Sequence, residues 1–134
     1  MTGARVQSVE PDRDAAASLL AQGRSTMRSA QIAGVDAESA YALCYQAMLK
    51  GMGAALLASG IRITSGAGGH IVTIREAVTL LGLDRPLADR LDDMRRTRHR
   101  VFYDVIEVTE LELEGAMADA EVLLRAVEQR LESL

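Results

Sequence analysis

Between Arg85 and Arg100 the chain carries six arginines against three aspartates. On a helix turning about 100° per residue with Leu87 at zero, Leu91 falls at about 40°, Met94 at about −20°, Val101 at about −40° and Phe102 at about 60°. Arg98 falls at about 20° on the same projection, in the middle of that apolar stripe. Arg95 lies at the stripe's edge, while Arg96 and Arg100 point away from it. A guanidinium keeps its charge at any accessible pH, so at such a position it needs a carboxylate, an exit to solvent, or an anionic ligand. One structural solution is an ion pair with another helix. The functional one is a cleft in which the planar fork grips a phosphate through two hydrogen bonds.

The neighbours of Arg98 favour the second solution. His99 is adjacent, and the surrounding Arg95, Arg96, Arg98 and Arg100 bias its imidazole towards the neutral form, which suits a base. Tyr103, near the expected helix end, is a weak acid that hydrogen-bonds phosphate well. The candidate catalytic residues are therefore Arg98, His99 and Tyr103, and the candidate phosphate ligands are Arg95, Arg98 and Arg100. These types suit a phosphodiester or a nucleotide. Paired carboxylates for glycoside chemistry, a Gly-x-Ser-x-Gly elbow and P-loop spacing are absent from the sequence. The stretch SGAGG lacks the Lys-Ser/Thr of a phosphate loop and reads as a linker.

The elements that position these residues are helices. Asp12 can cap a first helix over about 12–33, with Gly34 beyond its end. Asp36 can cap a second over 37–59, closed by Gly60. Gly51 and Gly53 inside it each cost about 1 kcal/mol against Ala, which tight packing must offset. IRITSGAGG (61–69) reads as a flexible loop, followed by a shorter helix over 70–81 that ends at Gly82. Asp84 and Pro86 open a fourth helix running to Tyr103, and DVIEV connects it to the last. Thr109 and Glu112 form a capping box for a helix over 110–132. Its stripe is Leu113, Ala116, Met117, Ala120, Leu124, Val127 and Leu131. The expected architecture is an all-α antiparallel bundle of four long helices and a short one, with no sheet. Residues 1–11 form a flexible tail and 12–134 a single domain.

Composition agrees. Of 134 residues, 49% are hydrophobic but only 3% aromatic. A core of Ala, Leu, Val and Met suits close-packed helices better than a β-sandwich. The net charge of −4 makes a poor nonspecific nucleic-acid coat. The charge is uneven, however, and from residue 101 onward two arginines face nine acids. The single cysteine, Cys44, excludes an internal disulfide framework, and with His70 and His99 as the only histidines no metal centre is expected. No cofactor is expected. The sequence shows no signal peptide and no membrane span, so a cytoplasmic protein is expected.

The order of these segments resembles a known family. ESAYALCYQAMLKGMGAALLASGIRI, then SGAGGHIVTIREA, then DDMRRTRHRVFYDVIEVTELELEGAMADAEVLLRAVEQRL is similar to the HEPN superfamily, over about residues 36–132. It is nearest the small stand-alone prokaryotic branch, whose fourth helix ends in an Arg-rich stretch running into Tyr-Asp. The resemblance implies a dimeric helical bundle. It also implies an RNA-cleaving site at the two-fold axis, independent of metal, in which an Arg stabilises the phosphorane and a His assists the 2′-hydroxyl. The motif Arg falls on Arg98 and the following polar position on His99. The motif His falls on Tyr103, a departure that removes the family's standard acid–base group.

Three functions follow as expectations. The first is a homodimer that binds nucleotide or RNA phosphate and partners a minimal nucleotidyltransferase in a toxin–antitoxin module. The second is a metal-independent endoribonuclease toxin working through Arg98 and His99. The third is a purely structural helical dimer in which Arg98 closes an internal salt bridge.

Overall fold

A computed structural model describes residues 3–104 and 106–134. Its centre is the helix α2 (Ala37–Ala58), started by the Asp36 carboxylate accepting from the Ser39 amide at 3.0 Å. This helix is predominantly apolar and exposes only Ser39 and Gln46, so most of its surface must be buried. It buries twelve residues, Tyr41, Cys44, Tyr45, Met48 and Met52 among them. Burial pushes the Cys44 thiol up to about 11, which leaves it an inert core residue.

The other helices pack around α2. The helix α1 (Arg13–Ala30) is capped by Asp12, whose carboxylate accepts from the Ala15 amide. It ends at Ala30, three residues short of the expected boundary. The helix α5 (Glu110–Glu132) carries the capping box expected from Thr109 and Glu112, with both hydrogen bonds formed. Of its expected stripe, Ala116, Ala120, Leu124 and Val127 are buried, and Leu123 joins them. The helix α3 (Gly69–Leu81) ends on Gly82 in the left-handed conformation, at φ 63°. The helix α4 (Arg85–Tyr103) opens on Asp84 with Pro86 in its first turn. The connector DVIEV includes Val105, which lies outside the described residues; its Val108 is buried and donates its amide to Glu38 of α2 at 2.9 Å.

The glycines inside α2 are explained by close approach. A Cβ on Gly51 would stand 2.8 Å from Leu124 Cδ2 of α5, and one on Gly53 would stand 3.1 Å from Leu19 Cδ2 of α1. Packing thus compensates the helix propensity lost at both positions. Much of the acidity of α5 is spent inside the fold. Arg24 of α1 pairs with Glu121 at 2.6 Å and with Glu128 at 2.5 Å. Arg90 of α4 pairs with Asp119 at 3.0 Å. No helix among the described residues is long and apolar enough to cross a membrane.

The expectation of no sheet needs correction. Val6–Ser8 (β1) pairs antiparallel with Ile61–Ile63 (β2), in the register Val6 with Ile63 and Ser8 with Ile61. The ladder continues past the strands: Ala4 donates to the Ala67 carbonyl, and Arg5 and Thr64 exchange backbone and side-chain hydrogen bonds at 2.8–2.9 Å. Part of the expected tail is therefore a structural strand, and part of the expected loop is its partner. Three residues are too short for period-two alternation to register, and the pairing joins segments more than fifty residues apart.

The same ribbon makes Gly60 a demanding position. It holds φ 75°, its carbonyl accepts from the Val9 amide at 2.9 Å, and a Cβ there would lie 2.7 Å from the Val9 oxygen. Gly60→Ala combines a left-handed alanine with a clash against backbone, and should cost about 2–4 kcal/mol. Urea unfolding checks this, and an unchanged midpoint would contradict the geometry.

Candidate functional site

The residues singled out on α4 meet a cleft built from three separate segments. Its walls come from Tyr45 on α2, from Gly66, Gly68, Gly69, His70 and Ile71 at the start of α3, and from Arg95, Arg98, His99 and Tyr103 on α4. The cleft holds about 420 Å³, enough for a nucleotide-sized group. The Gly-rich stretch that reads as a linker is one of its walls. Gly68 starts α3 from a left-handed conformation, φ 78°, with no side chain capping the first turn. The β1–β2 ribbon fixes this turn through the Ala4–Ala67 and Arg5–Thr64 bonds.

Arg98 is half-buried, as its place in the stripe requires, yet among the described residues it has no carboxylate within ion-pair distance. The internal salt bridge of the structural alternative is not formed among the described residues. Its guanidinium instead lies 5.0 Å from the centroid of the Phe102 ring, a cation–π contact that orients the group without neutralising it. Arg95 also lines the cleft but pairs with Asp92 on its own helix at 2.9 Å, and Asp92 is shared with Arg96 at 2.9 Å. Arg100 does not reach the cleft. It lines a groove between α4 and α5 with Arg96, Glu112 and Asp119, so the structure separates it from Arg95 and Arg98.

His99 and Tyr103 reach the cleft from its exposed rim. Their rings stack at 4.5 Å between centroids, and Phe102 packs edge-on against Tyr103 at 4.9 Å. Phe102 and Tyr103 are 65% and 68% exposed, so the stripe on α4 continues beyond what the rest of the chain covers.

The site contains two residues that sequence reasoning did not select. Tyr45 is 3% exposed, and its hydroxyl lies 3.0 Å from His70 Nδ1. Burial pushes the Tyr45 phenol up to about 12, with Arg95 and Arg98 opposing, so it stays protonated throughout the working range. The His70 ring is open to the cleft, and its pKa is lowered, first by partial loss of water and then by the charges of Arg98 and Arg95. A cation-flanked imidazole of lowered pKa is thus found at His70. The one signal for it in the sequence is that His70 follows a glycine run at a helix start, and nothing local links that run to α4.

His70 should titrate below the ordinary imidazole value of about 6.5, checked by following its ring protons in NMR spectra against pH. Folding holds the neutral form, so the stability it contributes is present above pH about 6.5 and is lost as pH falls from there through the lower folded value. The amount is small, because the ring is solvent-exposed. A midpoint at or above the ordinary value would remove Arg95 and Arg98 from its surroundings.

Comparison with known proteins agrees with this architecture. A family model described as the HEPN domain matches residues 16–130, nearly the whole helical bundle. No curated protein and no solved structure matches the chain. The five helices of the described residues fall within or across the matched span, in the order that the sequence resemblance implied. With the match covering well over half of its length, this chain belongs to the HEPN domain family.

Proposed function

We propose that this HEPN domain binds the phosphodiester backbone of RNA, or the phosphate of a nucleotide, in the cleft between α2, the start of α3 and α4. The observation that carries the reading is the free guanidinium of Arg98, half-buried and without a carboxylate among the described residues. Desolvating a charge without pairing it is unfavourable, and an anion in the cleft would supply the missing partner. The uncapped first turn of α3 adds backbone amides of the sign an anion needs. Membership supports a HEPN-type function, often RNase- or nucleotide-related.

Three arginines separate this reading from a nonspecific basic surface. Arg98→Ala should weaken binding of a single-stranded oligoribonucleotide by about 30- to 150-fold, the worth of one charge-assisted contact at 2–3 kcal/mol. Arg95→Ala should cost less, since Asp92 already holds that side chain, and Arg100→Ala least, since it lies outside the cleft. Fluorescence anisotropy at fixed salt measures all three. Equal losses would return the binding to general charge, and an Arg98→Ala melting point lowered by more than about ten degrees would make Arg98 structural.

The proposal includes a homodimer in which a second copy covers Phe102 and Tyr103. Large exposed apolar side chains at a helix end are the kind of surface that isologous contacts remove from water. Phe102→Glu should shift the protein from dimer to monomer in sedimentation velocity at micromolar concentration, with its helical circular dichroism unchanged. A wild-type protein that sediments as a monomer would end this part of the reading.

A further inference from the structure

We propose that His70 is a proton-linked ligand of the anion held in the cleft, taking up a proton as the anion enters beside Arg95 and Arg98, so that the site binds more tightly as pH falls; this role rests on anion binding at that cleft. The His70 ring lines both the cleft and an adjoining groove along α2, and Arg98 and Tyr45 line both spaces with it. From α4 it is faced by the charges of Arg95 and Arg98, with His99 and Tyr103 on the same wall. From α2 it meets Tyr45, and its own segment adds only glycines and Ile71. Among the described residues, α5, the β1–β2 ribbon and every carboxylate are absent from both linings. Asp92, the acid that holds Arg95, is shared with Arg96.

Such surroundings tie the charge of the ring to the contents of the cleft. In the protein alone, partial loss of water and the charges of Arg98 and Arg95 oppose a proton on His70. With a phosphate in the cleft, the same proton meets a negative charge and donates a charge-assisted hydrogen bond. The ring therefore holds its proton more tightly in the complex than in the free protein. By linkage, the anion binds the protonated protein more tightly by the same factor. The proton comes from the buffer, and no covalent step is involved.

Tyr45 lets the ring change its charge without losing its place. The hydroxyl lies 3.0 Å from His70 Nδ1. It can donate to a bare Nδ1 or accept from Nδ1–H, so the contact holds with the proton on either nitrogen and with both protonated. The phenol is 3% exposed and, pushed up to about 12 by burial, keeps its own proton throughout. His99 has no anchor of this kind. Its ring rests on Tyr103, which is itself 68% exposed. An ionisable ligand acts at a defined point in a site only when its position is fixed beforehand, and of the two imidazoles His70 is the one so fixed.

The test uses the full chain and a labelled single-stranded oligouridylate, whose bases and phosphodiesters keep one charge state across the range in which imidazole titrates. Fluorescence anisotropy at fixed ionic strength follows the affinity with pH. Wild-type affinity should rise about tenfold between pH about 8 and pH about 5, the equivalent of one pKa unit of linkage. In NMR spectra the His70 ring protons should titrate about one pH unit higher in the saturated complex than in the free protein. His70→Gln should bind within about threefold of wild type at pH about 8, where the native ring is neutral, and should lose the rise at lower pH. His99→Gln should keep it. A wild-type affinity that does not change with pH, or a His70 midpoint that the oligouridylate leaves in place, overturns the proton linkage and leaves the binding reading intact. A rise that persists in His70→Gln assigns the proton to another group and overturns it too, as does an equal loss of affinity at both ends of the range in that variant. Should His70→Gln fail to fold, the wild-type midpoint decides alone. Absence of binding at every pH removes the binding reading itself, and the linkage with it.

Discussion

The bundle is arranged around a helix whose surface is mostly apolar. Twelve residues of α2 are buried, and α1, α5, α3 and α4 pack against it to keep them from water. Its glycines set how close the cover comes. Gly51 lies where Leu124 of α5 approaches, and Gly23 of α1 stands where a Cβ would come within 3.2 Å of the Ala47 carbonyl. Small residues trade helix propensity for dispersion contacts along the whole length of the helix.

That constraint extends into the cleft. Tyr45 is part of the α2 core, and its hydroxyl is the one polar atom it sends towards the functional side, where His70 meets it. The imidazole therefore inherits the rigidity of the bundle although it sits at a helix start behind a glycine-rich turn. The β1–β2 ribbon constrains the turn from the other side. A two-stranded ribbon contributes little stability by itself, and here its effect is positional: it fixes where α3 begins.

Electrostatics divides the molecule. On the α5 side, Arg24 and Arg90 are neutralised by Glu121, Glu128 and Asp119, so those charges act as clasps between helices. On the cleft side, Asp92 pairs with Arg95 and Arg96, and among the described residues Arg98 has no carboxylate and rests against Phe102. A half-buried cation held by a ring rather than by a carboxylate retains its capacity for an anion.

The amino-acid sequence carries the helices, their caps and the anomaly on α4 in short-range signals. Those features are local: a capping box spans four residues, and an amphipathic stripe is written in steps of three and four, so Thr109, Asp36, Asp84 and the place of Arg98 could all be read directly. It also carried the order of segments by which the HEPN family is recognisable. Tertiary structure decided the rest, because the deciding contacts join distant positions. Val6 pairs with Ile63, and His70 reaches Tyr45 across 25 residues of chain. Arg100 and Arg98, two residues apart, face different grooves because α4 lies between α2 and α5. Periodicity could say that Arg98 was misplaced for a core. Only the packing of three segments could supply the imidazole beside it and withhold the carboxylate.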